Sequence, residues 1–236
     1  METSSIAKKI FFSTYVLALV LIVQSAQAVP FTITAQLTGD IRLNNPDNLV
    51  VNVSIAGDTT SNQAFWTIDI NSLLHSGIKL DEFYFNMTGS ASDYSFSNFS
   101  PTGWAINAPA SVQGAGGTSF MFEALDPSGP PNAADVTNTQ NLTFTMTYVG
   151  LLTQNAFLNA PTATSNDAGS GQLGVHLQSL TTTGNCGNST NCSDSGFAFG
   201  NFNGGSPPQQ IPEPGVLLLV GAGLLGLGLT RRRNSL

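Results

Sequence analysis

The chain has 236 residues and a mass of 24.6 kDa, room for one sizeable domain or two small ones with appendages. Only 9% of its residues are charged, against about 25% in an ordinary soluble domain, and the formal net charge is -7. Lys8, Lys9, Arg231, Arg232 and Arg233 hold most of the positive charge at the two ends, so 29–210 keeps only Arg42 and Lys79 against 12 acids. Nothing basic is left there to neutralise phosphates, which excludes a nucleic-acid-binding face. With 41% hydrophobic residues and 15 Phe, the chain can also bury a core, which excludes wholesale disorder.

The N-terminus reads as a secretory signal peptide over 1–28. Lys8 and Lys9 form a positive start, Ile10 to Val23 an apolar stretch, and Ala26-Gln27-Ala28 a small-x-small cleavage pattern. Cleavage after Ala28 leaves a mature chain beginning Val29-Pro30, and the pattern implies the Sec translocon and signal peptidase as partners. An uncleaved anchor or a buried core helix is the plainer alternative. The apolar run is short for a bilayer core of ~30 Å, and it ends in the cleavage pattern.

From Val29 to Phe202, period-two patterning dominates and no 3.6-residue stripe appears. Leu142 to Tyr148 alternates apolar residues with Thr143, Thr145 and Thr147, and Phe31 to Leu37 does nearly the same. Leu49–Ile55, Ala64–Ile70, Ile78–Met87, Tyr94–Phe99, Thr118–Leu125, Leu173–Leu180 and Gly196–Phe202 complete the predicted strands. Turn clusters such as Asn44-Asn45-Pro46-Asp47 and Gly57-Asp58 lie between them. The expected fold is all-β, an antiparallel β-sandwich of jelly-roll type over 29–202, each strand with one buried and one solvated face. Exposed positions carry Ser, Thr, Asn, Gln and Gly, a hydrated but barely ionic surface suited to neutral sugars.

Few residues promise chemistry. Cys186 and Cys192 are the only cysteines, and in an exported chain so close a pair is most simply a disulfide closing a small loop. A metal site is the alternative, but only His75 and His176 could join the thiols and neither is near in sequence, so no metal and no cofactor are expected. Alternation across Leu173, Val175 and Leu177 puts His176 and Gln178 on the polar face. His176 has no identifiable partner there and reads as a surface residue, since a general base needs an orienting neighbour. Asp69, Asp81, Glu82 and Glu123 lie on or beside strands and could form a carboxylate pair, whose separation sequence does not reveal. Asp126, Asn132, Asp135, Asn138 and Asn141 supply oxygen ligands in one loop region, and Asn44, Asp47 and Asn48 in another, but neither has the spacing of a calcium loop, and such residues are ordinary in turns. Of the aromatics that could stack on sugars, Trp66 alternates with Ala64, Ile68 and Ile70 and reads as core, while Trp104 follows a turn and reads as near a loop; Tyr84 and Tyr94 complete the set. No Gly-x-Ser-x-Gly, His-Glu-x-x-His or phosphate-binding loop occurs, and the expected protein is not an enzyme.

A linker over 203–210 leads to the last segment, 211–236. There Pro212-Glu213-Pro214 precedes an apolar helix over 215–230 and then Arg231, Arg232 and Arg233. The helix spans roughly 23 Å, and snorkelling arginines or local thinning would fit it to a membrane. The arginines stay cytoplasmic by the positive-inside rule, which leaves everything between the two ends outside. These three parts, in this order, resemble the PEP-CTERM sorting signal of Gram-negative bacteria. The resemblance implies that an exosortase-type membrane enzyme recognises the tail, cleaves near the Pro-Glu-Pro and passes the protein towards the cell surface. The resulting expectation is a cell-surface or extracellular-matrix protein, held in the membrane by the C-terminal helix before processing, structural or exopolysaccharide-associated. A carbohydrate-binding module with a defined glycan site and a matrix-modifying hydrolase are the alternatives.

Overall fold

The computed structural model describes residues 28–38, 48–108, 110–111, 119–126, 135–165, 169–181 and 195–204. The predicted signal peptide up to Gln27, the loop with Cys186 and Cys192, and the whole C-terminal tail with its predicted membrane helix lie outside the described residues. Among the described residues no helix is long and apolar enough to cross a membrane.

The described part is all-β and antiparallel. All nine predicted strands are present: β1 (Pro30–Thr38), β2 (Val50–Asp58), β3 (Gln63–Ile70), β4 (Lys79–Phe85) and β5 (Tyr94–Ser100) come first. Short strands β6 (Ala105–Asn107) and β7 (Ala110–Ser111) follow, and the predicted strand over Thr118–Leu125 is split into β8 (Ser119–Phe120) and β9 (Phe122–Leu125). Then come β10 (Leu142–Tyr148), the one-turn helix α1 (Asn155–Leu158), β11 (Ala163–Ser165), β12 (Gly169–Gly171), β13 (Leu173–Gln178), β14 (Ser195–Gly200) and β15 (Asn203–Gly204). The sheet runs two residues further than expected, because Ile33↔Gly204 and Thr34↔Asn203 pair β15 with β1 inside the stretch read as linker. At the other end, the Val29 N–H donates to Thr59 Oγ1 at 3.2 Å, so main-chain ties begin where the predicted cleavage would leave the chain.

Eleven strands form one sheet in the order β5-β10-β3-β2-β1-β14-β13-β4-β9-β6, with β15 beside β1. The sheet curls nearly into a barrel, and its end strands β5 and β6 come alongside each other without joining in a ladder. The expected two-layer packing is therefore made by one sheet folding over on itself.

Alternation decides which side chains go inside. On β1, Phe31, Ile33, Ala35 and Leu37 are buried while Thr32, Thr34, Gln36 and Thr38 are exposed. Leu142, Phe144 and Met146 on β10 are buried while the threonines between them are half-buried. Trp66 lies at the centre of the core, stacked on Phe144 at 5.4 Å and packed against Phe85 at 4.8 Å and Phe83 at 6.2 Å. Helix α1 sends Phe157 into the same core, against Phe31 and Trp66. At the open seam Phe96 and Tyr94 of β5 meet Phe122 of β9 at 5.0 and 5.7 Å, closing by aromatic contact what the ladder leaves open.

Two buried amides fix the connections. Gln172 Nε2 donates to the carbonyls of Leu158 and Ala160, satisfying the end of α1, and its Oε1 accepts from the Phe202 N–H at 2.9 Å. Asn86 Nδ2 donates to the Pro161 carbonyl at 2.8 Å and Oδ1 accepts from the Met121 N–H at 2.7 Å. On the outer side of β4, β13 and β14 a second, smaller apolar cluster joins Tyr84, Phe120, Ala163 and Phe199.

Candidate functional site

The local sequence Leu80-Asp81-Glu82-Phe83 cannot be a regular strand with Leu80 and Phe83 on one face, because residues three apart point to opposite sides. Both are nevertheless buried. The register explains how: Leu177 pairs with Leu80 and His176 with Glu82, so Asp81 is an extra residue, a β-bulge in β4. The bulge turns Asp81 and Glu82 to the same outer face, opposite His176. The next ladder pair on that face is Tyr84 with Glu123 of β9, and on the other side His176 pairs with Phe197 of β14.

The result is a compact polar cluster. His176 Nδ1 lies 2.8 Å from Asp81 Oδ2 and 3.5 Å from Glu82 Oε2. Gln178 Nε2 donates to Asp81 Oδ2 at 2.6 Å. The Tyr84 hydroxyl donates to Glu82 and stands between it and Glu123. Phe197 stacks on the imidazole at 4.6 Å with the planes 16° apart, which fixes the ring's orientation. The side chains of Asp81, Glu82 and His176 keep 14–19% of their surface accessible, enough for solvent to reach the cluster.

Electrostatics follow from this packing. Burial works against the imidazolium of His176, but the hydrogen bond to Glu82 and the charges of Asp81 and Glu82 outweigh it, and its pKa lies above the usual histidine range. Burial likewise works against ionised Glu82, yet hydrogen bonds from His176 and Tyr84 hold its carboxyl below the usual range. Glu123 goes the other way: burial, and then the neighbouring charge of Glu82, push its carboxyl up. The cluster can hold and exchange a proton at Nδ1, and its nitrogen and oxygen donors are of the kinds that bind metal ions.

His176 is thus not the lone surface histidine expected from the sequence. Its partners Asp81 and Glu82 sit about ninety residues away in the chain, where no local pattern could show them. A signal did exist in the two consecutive acids between Leu80 and Phe83, since that break in alternation marks a bulge. Of the four carboxylates considered for pairing, Asp81, Glu82 and Glu123 come together. Asp69 lies elsewhere, opposite Asn52 on the outer face of β2 and β3, in a shallow depression shared with Gln36 and Thr67.

The remaining expectations fall out by burial. Trp66 is core, as its alternation indicates. Trp104 is only 4% exposed and, like Tyr94, belongs to the main core, while Tyr84 is buried in the smaller outer cluster; none presents a ring face to a sugar. Asn138, considered for calcium, spends its side chain on the fold, accepting from the Ser72 N–H at 3.0 Å and donating to the His75 carbonyl at 2.9 Å, while Asp135 pairs with Lys79. His75 is fully buried, and its Nδ1 accepts from the Thr181 N–H at 3.0 Å. Cys186 and Cys192 with their predicted disulfide, the sorting-signal residues of the tail and Ala26 of the cleavage pattern lie outside the described residues; Ala28 is exposed at the edge of the domain.

Residues 210–233 match the PEP-CTERM protein-sorting motif, the segment that holds Pro212-Glu213-Pro214, the apolar stretch and the arginines. The motif implies export and processing by an exosortase-type membrane enzyme. No curated protein and no solved structure matches the chain.

Proposed function

We propose that this is a non-enzymatic cell-surface or extracellular-matrix protein, released from its membrane tail by an exosortase and associated with neutral exopolysaccharide. The sorting motif at 210–233 carries the first part of this reading. The outer face of β1, β2, β3, β10 and β5 supports the second. Across it run Thr34, Ser54, Thr67, Thr143 and Ser100 in one ladder row, and Gln36, Asn52 and Asp69 in the next. Such a surface offers hydroxyl and amide groups in both donor and acceptor roles, with little charge to repel or attract. Phe65 stands in the adjoining row between Ala56 and Thr145 and is 48% exposed, an apolar ring among polar neighbours of the kind on which a sugar stacks. This favours the carbohydrate-binding form of the proposal and moves its aromatic platform from Trp104 to Phe65.

The test takes the protein from its native host and measures its intact mass and terminal peptides by cell fraction. A chain starting at Val29 and ending near Pro212-Glu213-Pro214, recovered from the surface or matrix, is the expected result. A chain in the inner membrane still carrying Arg231-Arg232-Arg233 would overturn the sorted-surface reading. In a second arm, the released protein is run through gels containing the host's exopolysaccharide: retardation that Phe65→Ala relieves is expected, and equal mobility with and without the polysaccharide would sink the glycan reading alone.

A further inference from the structure

We propose that Asp81, Glu82 and His176 bind one divalent transition-metal ion of the zinc class on the outer face of the sheet, through His176 Nδ1 and one oxygen of each carboxylate. One donor atom from each residue lies within 4.8 Å of the other two. Metal–ligand bonds of about 2.0–2.2 Å in a tetrahedral sphere put donor atoms roughly 3.3 Å apart. The Nδ1 to Glu82 Oε2 distance of 3.5 Å already fits, and the 2.8 Å to Asp81 Oδ2 has to open by only some tenths of an ångström. Carboxylates only accept, so in the metal-free protein Nδ1 faces them as an N–H donor, and a bound ion would release that proton to solvent. The ion takes the place of that proton, and solvent at the accessible side of the cluster completes the sphere.

Three further observations point the same way. The patch holds three carboxylates, with Glu123, against a single imidazole, and the only lysine or arginine among the described residues, Lys79, is engaged with Asp135. Acidic groups thus outnumber basic ones in the patch, and a bound cation would offset the difference. The ligands are also buttressed as metal ligands are, Asp81 by the Gln178 amide, Glu82 by the Tyr84 hydroxyl and the imidazole plane by Phe197. Finally, the bulge at Asp81 brings two adjacent carboxylates onto the imidazole's face, which a regular strand would not do. One nitrogen with two carboxylate oxygens suits zinc and its first-row neighbours; calcium and magnesium take all-oxygen shells.

The full chain, purified in detergent without a histidine tag and stripped with chelator, is titrated with Zn²⁺ by calorimetry and followed by ¹⁵N NMR of its imidazoles. His75 and His176 are the only two histidines, which makes the assignment direct. Expected are one saturable ion per chain, displacement of the Nδ1 proton, and a shift of the His176 resonance with His75 unmoved. His176→Ala, and separately Asp81→Asn with Glu82→Gln, should each weaken binding by more than the roughly 10–100-fold that loss of an outer-shell partner costs. No saturable binding, binding undiminished in both variants, or saturation that leaves His176 unmoved would each overturn the assignment. The wild-type NMR readout stands even where a variant fails to fold.

Discussion

At the residue scale, His176 ties charge to stability. Its pKa is raised by folding, so its contribution is complete below the unfolded imidazole value of about 6.5 and is lost as pH rises through the higher folded value. Glu82 is lowered, so its contribution is complete above the ordinary carboxyl range and is lost as pH falls through the folded value. The pair therefore supports the fold most between roughly pH 4.5 and 6.5. Glu123, raised by burial and by Glu82, works in the opposite sense and favours the fold when protonated. In metal-free protein, His176→Gln should lower the urea midpoint most near pH 5.5, and the difference should shrink as pH rises through the raised value of the folded imidazole. Parallel wild-type and variant midpoints from pH 5 to 9 would show that the ion pair contributes nothing. The outer-face position of His176 was legible from Leu173, Val175 and Leu177; its ionic role was not, because that depends on a register between strands.

At the scale of elements, legibility depends on length. Strands of six residues or more, such as β1 and β10, repeat the apolar–polar alternation often enough to announce themselves, and each was read from the sequence within a few residues. β6, β7, β11, β12 and β15 have two or three residues each and hold no period to read. They exist because neighbouring backbones are already in place. Gly200 shows how close those backbones come. A Cβ added there would lie 2.6 Å from the Gln36 carbonyl oxygen and 3.1 Å from its carbon, and main chain paired in β1 cannot swing aside as a flexible side chain would. Gly200→Ala should therefore destabilise the domain by about 1–3 kcal/mol, the usual cost of overpacking, seen as a lower denaturant midpoint at unchanged slope. A midpoint within error of wild type would mean that β14 can shift away from β1 at no cost. The sequence shows a glycine at the end of a strand; only the approach of β1, more than 160 residues earlier, gives it a reason.

For the whole molecule, the decisive feature is where the last long strand lies. β14 pairs with β13 over its whole length and meets β1 at Thr38↔Phe199, and β15 continues along β1. It thus joins two half-sheets, β5-β10-β3-β2-β1 and β13-β4-β9-β6, that have no other link in the ladder order. Without it, β1 and β13 become open edges, a template for aggregation, and Ala198 and Phe202 leave the core while Phe199 leaves the outer cluster. Pairing the first strand of the domain with the last also makes closure a long-range event, which slows folding and exposes the halves in the meantime. Because β14 and β15 immediately precede the segment leading to the sorting tail, the sheet closes only after nearly the whole exported segment is available. The compact unit spans Ala28–Pro208. A chain of residues 28–208 should melt in one cooperative transition, whereas residues 28–194, which end just before β14, should show no cooperative melt and should aggregate at micromolar concentration. Differential scanning calorimetry with light scattering separates the two. A cooperative transition in the shorter chain would mean that the half-sheets hold together across the Trp66 core alone, and β14 would then be a cover on the barrel and not its closure.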